Sequence, residues 1–143
     1  PGGSADIIFD SNTFLPVYQN DLLNAVREIL IVSPIITKRR VSQMLPFLAA
    51  AQDRKVKTVV VTRPTADFRE KDRPVLEDTL SLFRATGVQV VCKSNIHQKF
   101  AILDQNIIWY GSINLLSFGR AEESIMRLEN PGIADELLGS IRN

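Results

Sequence analysis

Short apolar runs and segments of helical periodicity alternate along the first two thirds of the chain. Three runs rich in β-branched residues are typical of strands buried on both faces: residues 28–33, 56–62 and 88–92. Other segments repeat apolar residues every three or four positions, as amphipathic helices do: residues 15–26, 41–48 and 72–86. A short apolar run at residues 6–9 predicts one further strand. This alternation predicts a layered α/β domain with right-handed crossovers.

The last third of the chain has a different pattern. Two apolar runs, residues 99–104 and 107–110, flank the pair Gln105-Asn106, which predicts a tight antiparallel hairpin. Residues 124–128 predict a last strand, and a terminal helix is expected at residues 131–141, which open with a proline. The predicted fold class is therefore α/β, an α-β-α sandwich with a mixed, mostly parallel β-sheet between helices.

The composition fits one ordinary globular domain. The chain has 143 residues, of which 45% are hydrophobic, and this suffices for one buried core. Residues 1–5 have the character of a linker or cloning scar, and residues 6–143 are expected to form a single domain excised from a larger chain. Cys92 is the only cysteine, which excludes a disulfide framework and fits the cytoplasm. No apolar stretch approaches the roughly 18 residues of a membrane span, so no membrane partner is expected.

The charge is unevenly distributed, although the formal net charge is only +1. Residues 38–73 contain ten basic and four acidic residues, and such a sector can contact phosphate backbones. The candidate nucleic-acid contacts are basic residues that follow two predicted strands at the end where open α/β sheets bind ligands: Lys38, Arg39, Arg40 and Arg63. A merely solvated surface gives the same count in many proteins, and this alternative stays open.

The only histidine lies in a segment that also carries a lysine and a carboxylate. His97, Lys99 and Asp104 occur at offsets of 0, 2 and 7 along one predicted strand. Residues two apart on a strand face the same side, so His97 and Lys99 project together, whereas Asp104 need not face them. We therefore expect His97 and Lys99 to act as a pair and Asp104 to hold the hairpin.

A second polar segment, Gly111-Ser112-Ile113-Asn114, follows the predicted hairpin. Its hydroxyl, carboxamide and backbone N–H groups can meet an anionic oxygen. An imidazole can attack phosphorus or transfer a proton near neutral pH, while a lysine neutralises non-bridging oxygens. A single histidine without nearby cysteine argues against a clustered metal site, and no Gly-x-Ser-x-Gly or Walker-type segment occurs. The residues therefore predict a phosphate site that needs no metal and no other cofactor.

Together these residues resemble the HKD signature of the phospholipase D superfamily. The order H-x-K-x4-D, followed by x6 and G-S-x-N, is filled at His97, Lys99, Asp104, Gly111, Ser112 and Asn114. The resemblance covers nearly the whole chain, because the α/β order before the motif and the strand after it resemble one phospholipase D-like half. Residues 109–117, with Ser33-Pro34 and residues 62–64, look like the HKD domains appended to bacterial helicases or ATPases.

The resemblance implies a phosphodiesterase that works through a covalent phosphohistidine. The implied catalytic residues are His97, Lys99, Asn114, Glu123, Ser112 and Asp104. His97 would serve in turn as nucleophile and general acid/base, while Lys99 and Asn114 hold phosphate oxygens with help from Ser112. Glu123 would orient His97, with Glu122 as the less favoured alternative. Because two histidines are needed and the chain has one, the resemblance also implies a homodimer with a shared site on its two-fold axis.

Three functions are compatible with this sequence. The leading one is cleavage of nucleic acid, with DNA favoured over RNA, by a domain of a larger helicase- or restriction-like protein. The second is a catalytically weak nucleic-acid-binding or dimerisation module. The third is phospholipid hydrolysis or headgroup transfer, for which membrane-bound enzymes usually carry an apolar segment that this sequence lacks.

Overall fold

The computed structural model describes residues 7–117 and 123–142. This part of the chain contains seven strands: β1 (Ile8–Asp10), β2 (Glu28–Val32), β3 (Lys57–Thr62), β4 (Gln89–Cys92), β5 (Phe100–Leu103), β6 (Ile107–Gly111) and β7 (Ser124–Glu129). Four α-helices accompany them: α1 (Phe14–Asn24), α2 (Lys38–Asp53), α3 (Arg73–Thr86) and α4 (Pro131–Arg142). The predicted linker at residues 1–5 lies outside the described residues.

The seven strands form one sheet in the order β1-β7-β6-β5-β2-β3-β4. β2, β3 and β4 are parallel, whereas the other four strand pairings are antiparallel. The α/β class and the mixed sheet are thus confirmed, but the expectation of a mostly parallel sheet is wrong. The reason is that β5, the first strand of the β5–β6 hairpin, pairs antiparallel with β2 on the side of β2 that faces away from β3. β7 and β1 then extend the sheet from β6, so the crossover through α1 does not place β1 beside β2.

Helices cover both faces of the sheet. α1, α2 and α3 pack on one face, in a core that includes Tyr18, Phe83 and Trp109. α4 packs on the other face, where Leu138 lies against a second core that includes Phe100. Because successive side chains of a strand point to opposite faces, the central strands are buried on both sides. This explains why β2 is an almost uninterrupted apolar run.

Two helix boundaries show how local contacts modify the sequence pattern. α2 begins earlier than its apolar periodicity indicates, because the Thr37 hydroxyl accepts a hydrogen bond from the Arg40 N–H at 3.4 Å. Pro46 lies inside this helix rather than in its first turn. α3 is followed by Gly87 in the left-handed conformation, with φ of 93°. A Cβ at Gly87 would also meet the Gln52 side chain, so both φ and packing favour glycine.

The β5–β6 hairpin turns one residue earlier than predicted. Asp104 and Gln105 occupy the central positions with φ of 54° and 55°, and the Asn106 N–H donates to the Leu103 carbonyl at 3.1 Å. The sequence had favoured Gln105-Asn106 as the turn pair. A type I′ turn requires left-handed backbone at both central positions, and Asp adopts it more readily than most residues.

All seven strands have one end on the side of the sheet that we call the upper edge. The carboxyl ends of β1, β2, β3, β4 and β6 lie there, together with the amino ends of the antiparallel strands β5 and β7. The described segments of the upper edge are residues 11–13, 33–37, 63–72, 93–99 and 111–117 and residue 123. Every sequence-predicted catalytic residue except Asp104 belongs to this edge.

Candidate active site

His97 and Lys99 lie in an irregular segment of the upper edge, directly before β5. The strand begins at Phe100 rather than at Lys99 as predicted, although the Gly111 N–H donates to the Lys99 carbonyl at 3.3 Å. His97 is exposed, and the half-buried Lys99 has its ammonium 3.4 Å from the His97 carbonyl oxygen. Within the described residues the His97 imidazole has no hydrogen-bond partner. The imidazole is therefore accessible to a ligand.

Gly111 and Ser112 join the end of β6 to the start of β7. A Cβ on Gly111 would lie 2.7 Å from the Ile125 Cα, so no larger residue fits there without moving backbone. The Ser112 N–H donates to the Ser124 carbonyl at 2.9 Å, and the Ser112 hydroxyl accepts from the Ser124 N–H at 3.0 Å. The same hydroxyl donates back to the Ser124 carbonyl at 3.1 Å. Ser112 thus joins the end of β6 to the start of β7 through three hydrogen bonds with Ser124. Its help in phosphate binding stays a prediction.

Asn114 is held by the segment that follows β2. Its Oδ1 accepts a hydrogen bond from the Ile35 N–H at 3.3 Å, which leaves the amide N–H groups of Asn114 to donate elsewhere. The Ser33 hydroxyl donates to the Ile35 carbonyl at 2.7 Å and accepts from the Leu116 N–H at 3.3 Å. Sequence reasoning missed this supporting role of Ser33. The signal available for it was a serine directly after a buried strand.

Glu123 directly precedes β7 at the upper edge and is half-buried. Its Oε1 is fully buried and has no hydrogen-bond partner among residues 7–117 and 123–142. Leaving a buried carboxylate oxygen without a hydrogen-bond partner costs free energy. Such an oxygen is suited to accept a hydrogen bond from an incoming group. The structure shows no hydrogen bond between Glu123 and His97 within the described residues, so the orienting role stays a prediction. Glu122, the alternative orienter, lies outside them.

Asp104 lies at the far end of β5, on the side of the sheet opposite the upper edge. Five residues of extended chain place it about 17 Å from Lys99. Its Oδ1 accepts hydrogen bonds from the N–H groups of Arg27 at 2.7 Å and Glu28 at 3.1 Å, and its Oδ2 accepts one from Val26 at 3.1 Å. The geometry makes Asp104 a structural residue, in line with the sequence argument that it holds the hairpin.

The electrostatic environment of Asp104 follows from these hydrogen bonds. Partial burial acts to raise the pKa of its carboxyl, but backbone N–H donors from Arg27, Val26 and Glu28 outweigh that effect and hold the pKa below its usual value of 3.8. The positive charge of Arg27 lowers the pKa of Asp104 further. The ionised form of Asp104 is therefore favoured by the folded state.

The predicted nucleic-acid contacts fall into two groups. Lys38 and Arg39 are exposed in the first turn of α2, next to the upper edge. Arg40 is only 7% exposed, its guanidinium carbon lies 5.7 Å from the centre of the Phe14 ring, and burial lowers its pKa. Arg40 is thus part of the interior. The proposed phosphate contacts of all three residues stay predictions.

Arg63 at the end of β3 is already engaged with its own loop. Its Nε donates to Asp67 Oδ2 at 3.4 Å, and its guanidinium carbon lies 5.8 Å from the centre of the Phe68 ring. Arg69 and Asp72 form a second ion pair in the same loop, at 3.1 Å. Part of the basic sector is therefore neutralised locally, which reduces the charge offered to a phosphate backbone.

Lys93 was also missed by sequence reasoning. It follows β4 at the upper edge, and its ammonium donates to the Ile141 carbonyl near the end of α4. This contact ties α4 to the segment that carries His97. The available signal was again position, since a polar residue directly after a parallel strand lies where α/β sheets bind ligands.

Neither a metal cluster nor a membrane-spanning helix occurs in the part of the chain that the structure describes. Among residues 7–117 and 123–142, no group of three or more His, Cys, Asp or Glu side chains is arranged to hold a metal ion. None of the helices in the same residues combines the length and apolarity needed to cross a bilayer.

A mixed sheet with His97, Lys99 and Asn114 at its upper edge is the arrangement typical of the phospholipase D superfamily. The chain belongs to the family described as cardiolipin synthase, PLD-like domain, which matches residues 18–142. The resemblance found in the sequence is thus confirmed. No curated protein sequence matches the chain.

Solved structures share this fold at low sequence identity. Nuc, a phospholipase D family member from Salmonella typhimurium, has a TM-score of 0.71 at 17% identity, over 88% of this chain and 82% of Nuc. Phosphatidylserine synthase from Haemophilus influenzae Rd KW20 has a TM-score of 0.76 at 13% identity, over 95% of this chain and 36% of that enzyme. The archaeal chromatin protein TrmBL2, described with a novel mode of DNA binding, has a TM-score of 0.66 at 12% identity, over 98% and 52% of the two chains. At such identities the likeness shows the fold alone.

Proposed function

We propose that this domain cleaves phosphodiester bonds of nucleic acid through a covalent intermediate on His97, without a metal ion. The observation that carries the proposal is the accessible His97 imidazole at the same sheet edge as Lys99 and Asn114. Membership of the PLD-like family supports chemistry of the phosphodiesterase type.

The proposed reaction has two steps. A nitrogen of His97 attacks phosphorus, the bond to the leaving oxygen breaks, and that oxygen takes a proton from a second histidine. Lys99 and the amide N–H groups of Asn114 stabilise the charge that develops on the non-bridging oxygens. Water then attacks the phosphohistidine and gives a proton to the second histidine, which releases the phosphate monoester and restores His97.

The second histidine comes, in this proposal, from a second copy of the chain. The sequence contains one histidine, so a single copy cannot supply both the nucleophile and the general acid. An isologous dimer with its two-fold axis beside His97 brings the two imidazoles together. In this proposal the second copy also supplies a hydrogen-bond partner to Glu123 Oε1, which is buried and has none among the described residues.

Nucleic acid is the proposed substrate because two adjacent basic side chains are exposed beside the site. Lys38 and Arg39 are exposed next to the upper edge and suit a polyanionic backbone. We favour DNA over RNA, and we place the domain in a larger helicase- or restriction-like protein on the resemblance of residues 109–117.

A second candidate function is nucleic-acid binding or dimerisation without efficient catalysis. The observation that favours it is the lack of a carboxylate partner for the His97 imidazole within the described residues. TrmBL2, a DNA-binding protein, has the same fold. Phospholipid chemistry, the third alternative, is supported by the family description, cardiolipin synthase, PLD-like domain, and by the fold shared with phosphatidylserine synthase.

The test is cleavage of single- and double-stranded DNA in excess EDTA, with wild type and His97→Ala compared and both examined by sedimentation. We expect EDTA-resistant cleavage by a dimer and its loss in His97→Ala. Mixtures of the two proteins sharpen the test, because a shared site makes activity fall with the square of the wild-type fraction. A linear fall contradicts the shared site, and binding without cleavage supports the second candidate.

A further inference from the structure

A groove opens beside His97 between two segments that are distant in sequence. Residues 93–98, between β4 and β5, form one wall, and Ser140 and Ile141 at the end of α4 form the other. The groove therefore adjoins both the proposed nucleophile and the carboxyl end of α4. A group attached to a phosphate at His97 would therefore lie beside this groove.

The α4 wall is fixed to the β4–β5 segment at two points. The Lys93 ammonium donates to the Ile141 carbonyl. The Ser140 hydroxyl lies 3.1 Å from Gln98 Oε1 and 2.7 Å from the Leu137 carbonyl. These contacts define the width of the groove, so its shape belongs to the folded domain and precedes any ligand.

The lining of the groove selects one kind of chemical group. It offers four neutral polar side chains, from Ser94, Asn95, Gln98 and Ser140, and apolar surface from two isoleucines. It contains a lysine but no carboxylate, so nothing in the lining would pair with a cationic headgroup such as choline or ethanolamine. A neutral heterocycle with apolar faces and hydrogen-bonding edges matches this lining better.

The orientation of Gln98 points to a specific contact. Its Oε1 is the atom that faces Ser140, so its amide N–H groups are directed elsewhere, and they have no hydrogen-bond partner among residues 7–117 and 123–142. Two free amide donors at the side of a groove suit a carbonyl oxygen on the edge of a base. Thymine O4 and guanine O6 are acceptors of this kind.

We propose that the groove binds the nucleoside attached to the phosphate at His97, with Gln98 donating to a carbonyl oxygen of the base. The inference rests on the proposed function, because it takes His97 as the phosphate site. It adds the recognised group to that function, namely a nucleobase that carries a carbonyl oxygen. It also identifies Gln98 and Ser140 as residues that determine specificity.

The test is calorimetric titration of the full chain with dTMP, phosphocholine and inorganic phosphate. In the wild type we expect dTMP to bind at least about fivefold more tightly than the other two. Gln98→Ala and Ser140→Ala should each lower the ratio of dTMP to phosphate affinity by about three- to tenfold, the effect of one neutral hydrogen bond. Ser81→Ala is the matched control, since Ser81 also donates to a helix carbonyl but lies on exposed α3.

Three results overturn the inference. These are equal binding of dTMP and phosphate by the wild type, a preference for phosphocholine, and an unchanged affinity ratio in both groove variants. Failure of the proposed function has a different signature. If DNA is not cleaved in EDTA while dTMP keeps its advantage, the groove is a nucleotide site in a protein that binds without cutting.

Discussion

The two ends of β5 carry the two halves of one sequence motif, and they differ in how fully their polar groups are satisfied. At the upper end and within the described residues, the His97 imidazole has no hydrogen-bond partner, and the Lys99 ammonium has only the His97 carbonyl. At the lower end, the Asp104 carboxylate accepts hydrogen bonds from three consecutive backbone N–H groups. Four residues of buried strand separate the two ends.

This difference assigns distinct tasks to residues that are linked in a single signature. A satisfied carboxylate holds structure together, because breaking its hydrogen bonds costs stability. An unsatisfied, accessible imidazole adds nothing to stability and is free to meet a ligand. Substitutions at the upper end should therefore change activity alone, and substitutions at the lower end should change stability alone.

The largest expected effect is on turnover in His97→Asn. Loss of the nucleophile should lower the rate of DNA cleavage in EDTA by at least about 10³-fold. The midpoint of thermal unfolding should stay within about 1 °C of the wild type, because the side chain is exposed. Lys57→Ala, at the lower end of β3, is the control and should keep the wild-type rate. A rate within tenfold of the wild type would end the covalent mechanism.

A smaller effect on turnover is expected in Glu123→Gln. Because this carboxylate positions the imidazole in our proposal, its neutralisation should slow cleavage by about 10- to 100-fold. Glu123→Asp should recover part of the rate, which a purely structural defect would not allow. The free energy of unfolding should not fall, since the substitution replaces a charged carboxylate, whose Oε1 is buried without a partner among the described residues, by a neutral amide of the same size. A loss as large as that in His97→Asn would make Glu123 essential.

The smallest expected effect on activity, and the clearest on stability, is in Asp104→Asn. The asparagine keeps an acceptor and tolerates the left-handed turn but lacks the charge, so the free energy of unfolding should fall by about 1 kcal/mol after allowance for solvent screening. Cleavage should be unchanged. Asp78→Asn, an exposed carboxylate on α3, is the control for denaturant titrations.

The stabilisation by Asp104 should also depend on pH. The pKa of this carboxyl is lower in the folded chain than its usual value of 3.8, so the unfolded chain takes up the proton first as the pH falls. The difference in unfolding free energy between wild type and Asp104→Asn should be complete above about pH 5 and should shrink below about pH 4. A difference that grows on acidification would contradict the hydrogen-bonded carboxylate.

The order of helices and strands could be predicted because it follows from local patterns. The β-branched runs of β2 and β3 and the glycine after α3 carry that information within a few residues. The pairing of β5 with β2 could not be predicted, because it joins residues about 70 positions apart. No local signal distinguishes it from a sheet continued beyond β4, which is why the sheet was expected to be mostly parallel.

The candidate site shows the same division. His97, Lys99 and Asn114 were found from their spacing, because all three lie within one short stretch of chain. Ser33 and Lys93 were missed, because their partners Leu116 and Ile141 come from other parts of the sequence. Spacing reveals residues that share a motif, whereas residues that support the motif are recognised only when the fold brings them together.

The attachment of α4 has a consequence for the order in which the protein is made. Residues 131–142 leave the ribosome after every strand of the sheet, yet they cover one face of it and supply one wall of the groove beside His97. A nascent chain that ends before α4 exposes the apolar surface around Phe100 and lacks Ser140. We expect such a chain to offer this apolar surface to chaperones and proteases, and the groove beside His97 is complete only after Ile141 has left the ribosome.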